Sequence, residues 1–379
     1  MNKKQFNLLA CAALFCACQS AQKQTTITGT LTGVESDTLI VSHCPLTDLN
    51  HRTMQKDTIL LQQGKFTLSL ANDSTPTVAY LQPLASGELA TSIATIVAFP
   101  SETVQVNGSA DPYDYTLTGN EFHAAWQTVK DQCQPYMIQL DSIANVLTTK
   151  QKAGVAQDSI YYIYQNVYSP VLGKMQEVKR DYIRQHPDDD LSVYLIIGLQ
   201  NDAKELLPLI GEKAKSGVMA PVYQAMYNAQ QEKEAREEAR KNMVEGVVAP
   251  DFTLKDLQGK DLTLSSLRGK YVVLDFWGSW CGWCIKGIPD MKKYYEKYKD
   301  RMEILGVDCR DTEEKWRATV EKYELPWLHV YNTDEADITV KYGIQGYPTK
   351  IVIDPEGKVA KIVIGEDPAF YEYLDELFK

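Results

Sequence analysis

Tyr271-Val272-Val273-Leu274-Asp275-Phe276-Trp277-Gly278-Ser279-Trp280-Cys281-Gly282-Trp283-Cys284 is the stretch that decides how this 379-residue chain is read. Residues 271–277 form a hydrophobic run of strand length, and a helix-like stretch begins at Cys281. A cysteine at a helix start meets the positive end of the backbone dipole and several unpaired N–H groups, and both favour thiolate over thiol. Cys281 is therefore the expected nucleophile. Cys284, one turn later on the same helix, is near enough to attack a mixed disulfide on Cys281 and release its partner.

Zinc sites also use a Cys-x-x-Cys pair, but tetrahedral binding needs two more ligands, usually a second pair or suitably spaced histidines. Apart from Cys16 and Cys18, the remaining cysteines (Cys11, Cys44, Cys133, Cys309) form no second pair. The histidines (His43, His51, His123, His186, His329) are scattered. No metal is expected, and an inert structural disulfide is the other plain alternative.

The composition, 44% hydrophobic and 23% charged, is that of an ordinary folded chain long enough for two or three domains. Residues 1–17 read as a secretory signal: Lys3 and Lys4 precede an apolar run, Leu8 to Ala17, too short to span a bilayer. Phe15-Cys16-Ala17-Cys18 resembles a bacterial lipobox, which makes Cys18 the expected lipidation site. Leu8-Leu9-Ala10-Cys11 has the same form, but cleavage there would leave a very short apolar run. Residues 18–26 are polar and read as a tether, so the expected location is the periplasmic side of the envelope with a lipid anchor. Removal of residues 1–17 takes two lysines and no acid, moving the formal charge from −11 to −13. A chain this acidic is a poor nucleic-acid binder.

Residues 27–118 alternate apolar and polar positions in short runs, as in Thr38-Leu39-Ile40-Val41 and Lys65-Phe66-Thr67-Leu68-Ser69-Leu70, which predicts an antiparallel β domain. Residues 119–242 carry helical spacing, with mixed charges from Gln230 to Lys241 suited to an exposed helix. Tyr161, Tyr162, Tyr164, Tyr168 and Tyr182 in this region read as core or as a partner groove. Residues 247–379 order as strand 271–277, helix from Cys281, strand 302–308, helix 312–323, strands 349–354 and 358–364, and helix 368–378, an α/β sandwich. The whole is an α+β multidomain chain: N-terminal antiparallel β domain, helical middle region, C-terminal α/β sandwich.

Ala249-Pro250-Asp251-Phe252, Leu267-Arg268-Gly269-Lys270, Phe276 to Cys284, Pro289 and Gly346-Tyr347-Pro348-Thr349 resemble, in order, the thioredoxin-like thiol-disulfide oxidoreductases of the bacterial envelope, the TlpA and ResA type. The β-rich segment is similar to one that precedes such modules in Bacteroides-type envelope lipoproteins. The resemblance implies that Pro348 is a cis-proline facing the cysteines and that an incoming peptide pairs beside it, with Trp280, Trp283 and Tyr347 as further substrate contacts. Pro289 is expected to kink the active-site helix. Many envelope members carry Glu three residues after the second cysteine, where this chain has Gly287. Asp275 matches the buried acid of ordinary thioredoxins and is expected to take the Cys284 proton.

The implied function is reduction or exchange of disulfides in envelope proteins. Electrons would come from a membrane thiol donor, because no nicotinamide or flavin fingerprint is present and the dithiol itself is the redox group. Cys309, at the carboxyl end of strand 302–308, reads as a third redox thiol or as a buried spectator. Two other functions compete. Peroxiredoxins, which the 249–270 segment also resembles, place Pro and Thr or Ser where this chain has Leu274 and Gly278. An envelope binding or scaffold lipoprotein with a secondary redox pair would give the larger N-terminal part the leading role.

Overall fold

A computed structural model describes residues 24–71, 75–85, 88–89, 92–333 and 337–379. Cys18, the signal segment and most of the tether lie outside the described residues. The chain divides into two compact units that meet between Tyr227 and Asn228, within one helix.

In the first unit the strands are β1 (Gln24–Thr32), β2 (Thr38–Pro45), β3 (Gln55–Leu60), β4 (Lys65–Ala71), β5 (Thr77–Ala85), β6 (Glu88–Leu89), β7 (Ala94–Ala98), β8 (Thr103–Ser109) and β9 (Tyr115–Thr118). One sheet has the order β4-β1-β8-β9; the other has β3-β2-β5-β6, with β7 also on β5. Ile27 and Leu31 of β1, Val104 and Val106 of β8, Leu39 and Val41 of β2 and Ile96 of β7 close one core between the sheets. The other face of the second sheet is covered too. Cys44, Val78 and Val97 pack with Phe122, Ile183 and Leu191 from the helices and Met219 from the turn before the last of them, so the β-rich and helical regions share this second core.

Two sequence expectations are corrected in this unit. The tether was placed at 18–26, yet β1 begins at Gln24 and Thr25 is fully buried, its hydroxyl donating to the Phe99 carbonyl at 2.8 Å. The domain was expected to be antiparallel, yet β1 and β8 run parallel, in register from Thr26↔Thr103 to Thr32↔Ser109. The chain between them passes through the other sheet, and such a crossover, unlike a hairpin, permits parallel pairing.

The helices of this unit are α1 (Glu121–Lys152), α2 (Gln157–Ile163), α3 (Ser169–Gln185), α4 (Asp190–Ile197), α5 (Ala203–Leu206), α6 (Glu212–Ser216) and the start of α7 (Ala220–Asn242). Asn120 caps α1 by accepting from Phe122 N–H, and the His123 side chain returns the bond to the Asn120 backbone. Of the tyrosines read as core or groove, Tyr161, Tyr162 and Tyr164 are exposed, whereas Tyr182 packs against the helical core.

The second unit holds β10 (Thr253–Asp256), β11 (Asp261–Thr263), β12 (Tyr271–Trp277), α8 (Gly282–Tyr298), β13 (Met302–Asp308), α9 (Glu313–Lys322), β14 (Leu328–Tyr331), α10 (Ile338–Lys341), β15 (Thr349–Ile353), β16 (Val359–Ile364) and α11 (Pro368–Leu377). They form a sheet in the order β11-β10-β14-β13-β12-β15-β16. Strands β12, β13 and β14 are parallel and joined through α8 and α9; β15 and β16 are antiparallel additions. Because β12 lies at the interior of the sheet and both faces are covered, six of its seven residues are buried. Val273 and Trp277 face α8, α9 and α11, whereas Leu274 and Phe276 face a core with Leu264, Ile338 and Tyr342.

Two buried titratable groups lie on the α8 side of this sheet. Neither ring nitrogen of His329 has a hydrogen-bond partner, and the Asp308 carboxyl makes no well-formed hydrogen bond, facing only the Asp311 side chain and the backbone of Cys309 and Asp311. Burial, reinforced by the nearby Asp311, pushes Asp308 up to about 9, and burial holds His329 down to about 3. Asp308 is thus protonated when folded and ionised when unfolded at neutral pH. Its contribution to stability is fullest below the ordinary carboxylate range and is lost as pH rises through about 9. Asp308→Asn is expected to raise stability relative to the parent by about 1–3 kcal/mol near pH 8 and by less near pH 4, measured by urea unfolding at the two pH values.

Candidate active site

The site forms where β12 ends and α8 begins. Cys281 is the N-cap of α8, in extended conformation, and its Sγ accepts the Cys284 N–H at 3.2 Å. A thiolate there has the helix N-terminus as its partner. The structure holds the two cysteines as a disulfide, with Cα atoms 5.2 Å apart and both residues largely buried.

The turn between strand and helix is held by the next loop of the sheet. Ser279 N–H and Oγ–H donate to the two carboxylate oxygens of Asp311 at 2.6 Å each. Trp280 Nε1–H donates to the Cys309 carbonyl at 2.9 Å. Gly278 is required because a Cβ there would stand 2.8 Å from that same carbonyl oxygen. These contacts fix the indole of Trp280 edge-on to Tyr347, with ring centroids 5.2 Å apart. Tyr347 precedes Pro348 through a cis peptide bond.

Around the disulfide, Trp280 and Trp283 are about half and three-fifths exposed (49% and 61%), an uncommon state for tryptophan away from a contact surface. Lys286 lies 4.8 Å over the Trp283 ring and Arg310 lies 5.4 Å over the Tyr347 ring. The rim is therefore aromatic, with cations on it.

Below the cysteines lies a buried charged group. Asp275 is on the face of β12 that α8 covers, between Val273 and Trp277. Its ladder partner in β15 is Lys350, which is 2% exposed. Lys350 Nζ donates to Glu366 Oε2 at 2.8 Å and stands 3.9 Å from Asp275 Oδ1. Tyr371 OH donates to Glu366 Oε1 at 2.6 Å. Burial raises the pKa of Asp275; Lys350 opposes that shift and Glu366 adds to it.

The cysteines and Asp275 read from the sequence thus sit at the junction of β12 and α8, and Trp280 meets Tyr347 beside Pro348. Pro289 lies inside α8. Cys309 belongs to the opposite core: it is fully buried, its thiol donates to the Val307 carbonyl at 3.4 Å, and burial raises its pKa well above normal. Cys44 and Cys133, which sequence placed in different regions, share one core and are free thiols. Sequence reasoning missed Ser279, Asp311, Lys350 and Glu366. A lysine inside the apolar run Thr349–Ile353 was a usable signal; the others carry none locally.

A family model described as AhpC/TSA family matches residues 246–362. The thiol-disulfide oxidoreductase ResA of Bacillus thuringiensis is 38% identical over 128 residues, which is 34% of this chain and 73% of that protein. ResA of Bacillus subtilis is 36% identical over 139 residues, 36% of this chain and 77% of the relative. The thioredoxin domain of a thiol-disulfide oxidoreductase from Bacteroides vulgatus is 34% identical, covering 36% of this chain and 99% of that one, with a TM-score of 0.34. The chain belongs to the thiol-disulfide oxidoreductases of ResA type through its C-terminal third, and it is a protein-disulfide oxidoreductase.

The clamp on the turn gives a direct prediction. Ser279→Ala removes one bond to the Asp311 carboxylate and is expected to destabilise the protein by about 1–2 kcal/mol in urea unfolding of the oxidised form.

Proposed function

We propose that the protein reduces or exchanges disulfides of other envelope proteins through Cys281 and Cys284, while anchored to the membrane at Cys18. The observation that carries the reading is Cys281 at the N-cap of α8, bonded to Cys284, with the exposed Trp280 and Trp283 each preceding one of the cysteines and Trp280 edge-on to Tyr347, which precedes cis-Pro348. An extended client segment pairs along the backbone before Pro348, and the exposed rings pack on it.

In the reducing direction both cysteines begin as thiols. Cys281 loses its proton, and its thiolate attacks one sulfur of the client disulfide. A Cys281–client bond forms, the client S–S bond breaks, and the departing client thiolate takes a proton from solvent. The Cys284 thiol then gives its proton to the Asp275 carboxylate and attacks Cys281 Sγ. The Cys281–Cys284 disulfide forms and the second client sulfur leaves as thiolate, which is protonated in turn. The dithiol has been oxidised and the client disulfide reduced. A membrane thiol donor restores the dithiol by the same exchange run on the protein. Asp275 suits the transfer because burial raises its pKa above the ordinary carboxylate value and so makes its carboxylate a better proton acceptor.

A peroxidase reading is disfavoured by Leu274 and Gly278. Leu274 is fully buried in the strand, and Gly278 has no room for a side chain.

The test uses a disulfide-bonded peptide substrate and the full chain. Cys281→Ser is expected to abolish reduction. Cys284→Ser is expected to accumulate a covalent peptide adduct at Cys281, seen by mass spectrometry and released by dithiothreitol. Retained reduction in Cys281→Ser, or no adduct in Cys284→Ser, overturns the assignment. The equilibrium potential of the pair then gives the direction: a value near or below about −250 mV marks a reductant, and one near or above about −180 mV an oxidant or isomerase.

A further inference from the structure

The buried lysine and the second carboxylate below the cysteines are not used in the scheme above. Glu366 follows Gly365, which ends β16 in a left-handed conformation (φ +87°) and donates its N–H to the Pro348 carbonyl at 2.7 Å. From this turn, tied to the cis-proline loop, Glu366 reaches back to α8. A Cβ added at Gly287, one turn after Cys284, would overlap the Glu366 carboxylate. The space beside the active-site helix that an acid at position 287 would occupy is therefore filled by an acid from a distant part of the chain.

That carboxylate is held from two sides, by Lys350 Nζ at 2.8 Å and by Tyr371 OH at 2.6 Å. Lys350 is nearer to Glu366 than to Asp275, where the separation is 3.9 Å, and Asp275 Oδ1 has no hydrogen bond. We propose that Glu366 and Lys350 are positioning residues for the proton transfer at Cys284: Glu366 draws the Lys350 ammonium away from Asp275, and the pair fixes the charge that Asp275 faces. This rests on the reading of Asp275 as proton acceptor.

The charged and titratable groups that act on Asp275 are Lys350 of β15, Glu366 after β16 and Tyr371 of α11, and Asp290 of α8 acts on Tyr371; the proposed proton transfer adds the Cys284 thiol of α8 once the pair is reduced. One ammonium between two carboxylates cannot fully neutralise both where all three groups are largely buried. Removing Glu366's charge leaves Lys350 to pair with Asp275 and favours the ionised form of Asp275. Removing Lys350's charge leaves two carboxylates side by side and favours its protonated form. A purely structural role for the pair would not give opposite effects.

The experiment is single-turnover oxidation of the full-length reduced protein by a disulfide-bonded peptide, followed by tryptophan fluorescence across pH. Asp275→Asn identifies the inflection that belongs to Asp275. Glu366→Gln is expected to move that inflection down by about one pH unit and Lys350→Met up by about one, with the double variant near the parent. Gly287→Ala, which displaces the carboxylate without changing any charge, should move it down. Infrared titration of the Asp275 carboxyl in the oxidised protein reads the same shifts without turnover. If the parent fails to react with the peptide, the functional reading fails while this measurement still stands. Unchanged inflections, or shifts of one sign in both single variants, overturn the proposal.

Discussion

A strand covered on both faces must satisfy inside the protein whatever polarity it carries, and β12 carries a carboxyl group. Much of the site follows from that constraint. Of the two strands that flank β12, β13 sets Gly306 opposite Asp275 and β15 sets Lys350 there, so the cation in the middle of the sheet comes from β15. The lysine in turn needs more than Asp275, and Glu366 supplies the closer bond. The same strand delivers the chain to the first turn of α8, so the buried acid and the cysteine pair are set by one element.

The active-site turn is rigid for a separate reason. It has little secondary structure of its own, and its polar groups are taken up by the loop after β13 through Asp311 and the Cys309 carbonyl. A redox pair on such a turn meets its client with the rings of Trp280 and Tyr347 already placed, so little ordering is left for the encounter.

The sequence was most readable where physics is local. Strand β12, the helix after Cys281 and the strands expected at 349–354 and 358–364 follow from apolar runs and a helix-start cysteine, and the observed ends lie within a residue or so of those expected. Strand β14 was missed because Leu328–Tyr331 is four residues long and contains a histidine, so it lacks a period to detect. The parallel pairing of β1 with β8 is a long-range choice that alternation cannot report. Among site residues, Cys281, Cys284 and Asp275 carry signals in their own neighbourhoods. Glu366 does not: it is an ordinary acid beside a glycine until the fold folds it back over Gly287.

A protein whose work is exchanging disulfides runs the hazard of becoming its own client. Any accessible spare thiol could attack the Cys281–Cys284 bond or capture a mixed disulfide meant for another protein. Cys44 and Cys133 are enclosed in the shared core of the first unit, and Cys309 lies beneath the other face of the sheet with its thiol kept protonated. Enclosure and a protonated thiol thus act as insulation, leaving the pair at the β12–α8 junction, beside the exposed Trp280 and Trp283, as the reactive cysteines among the described residues.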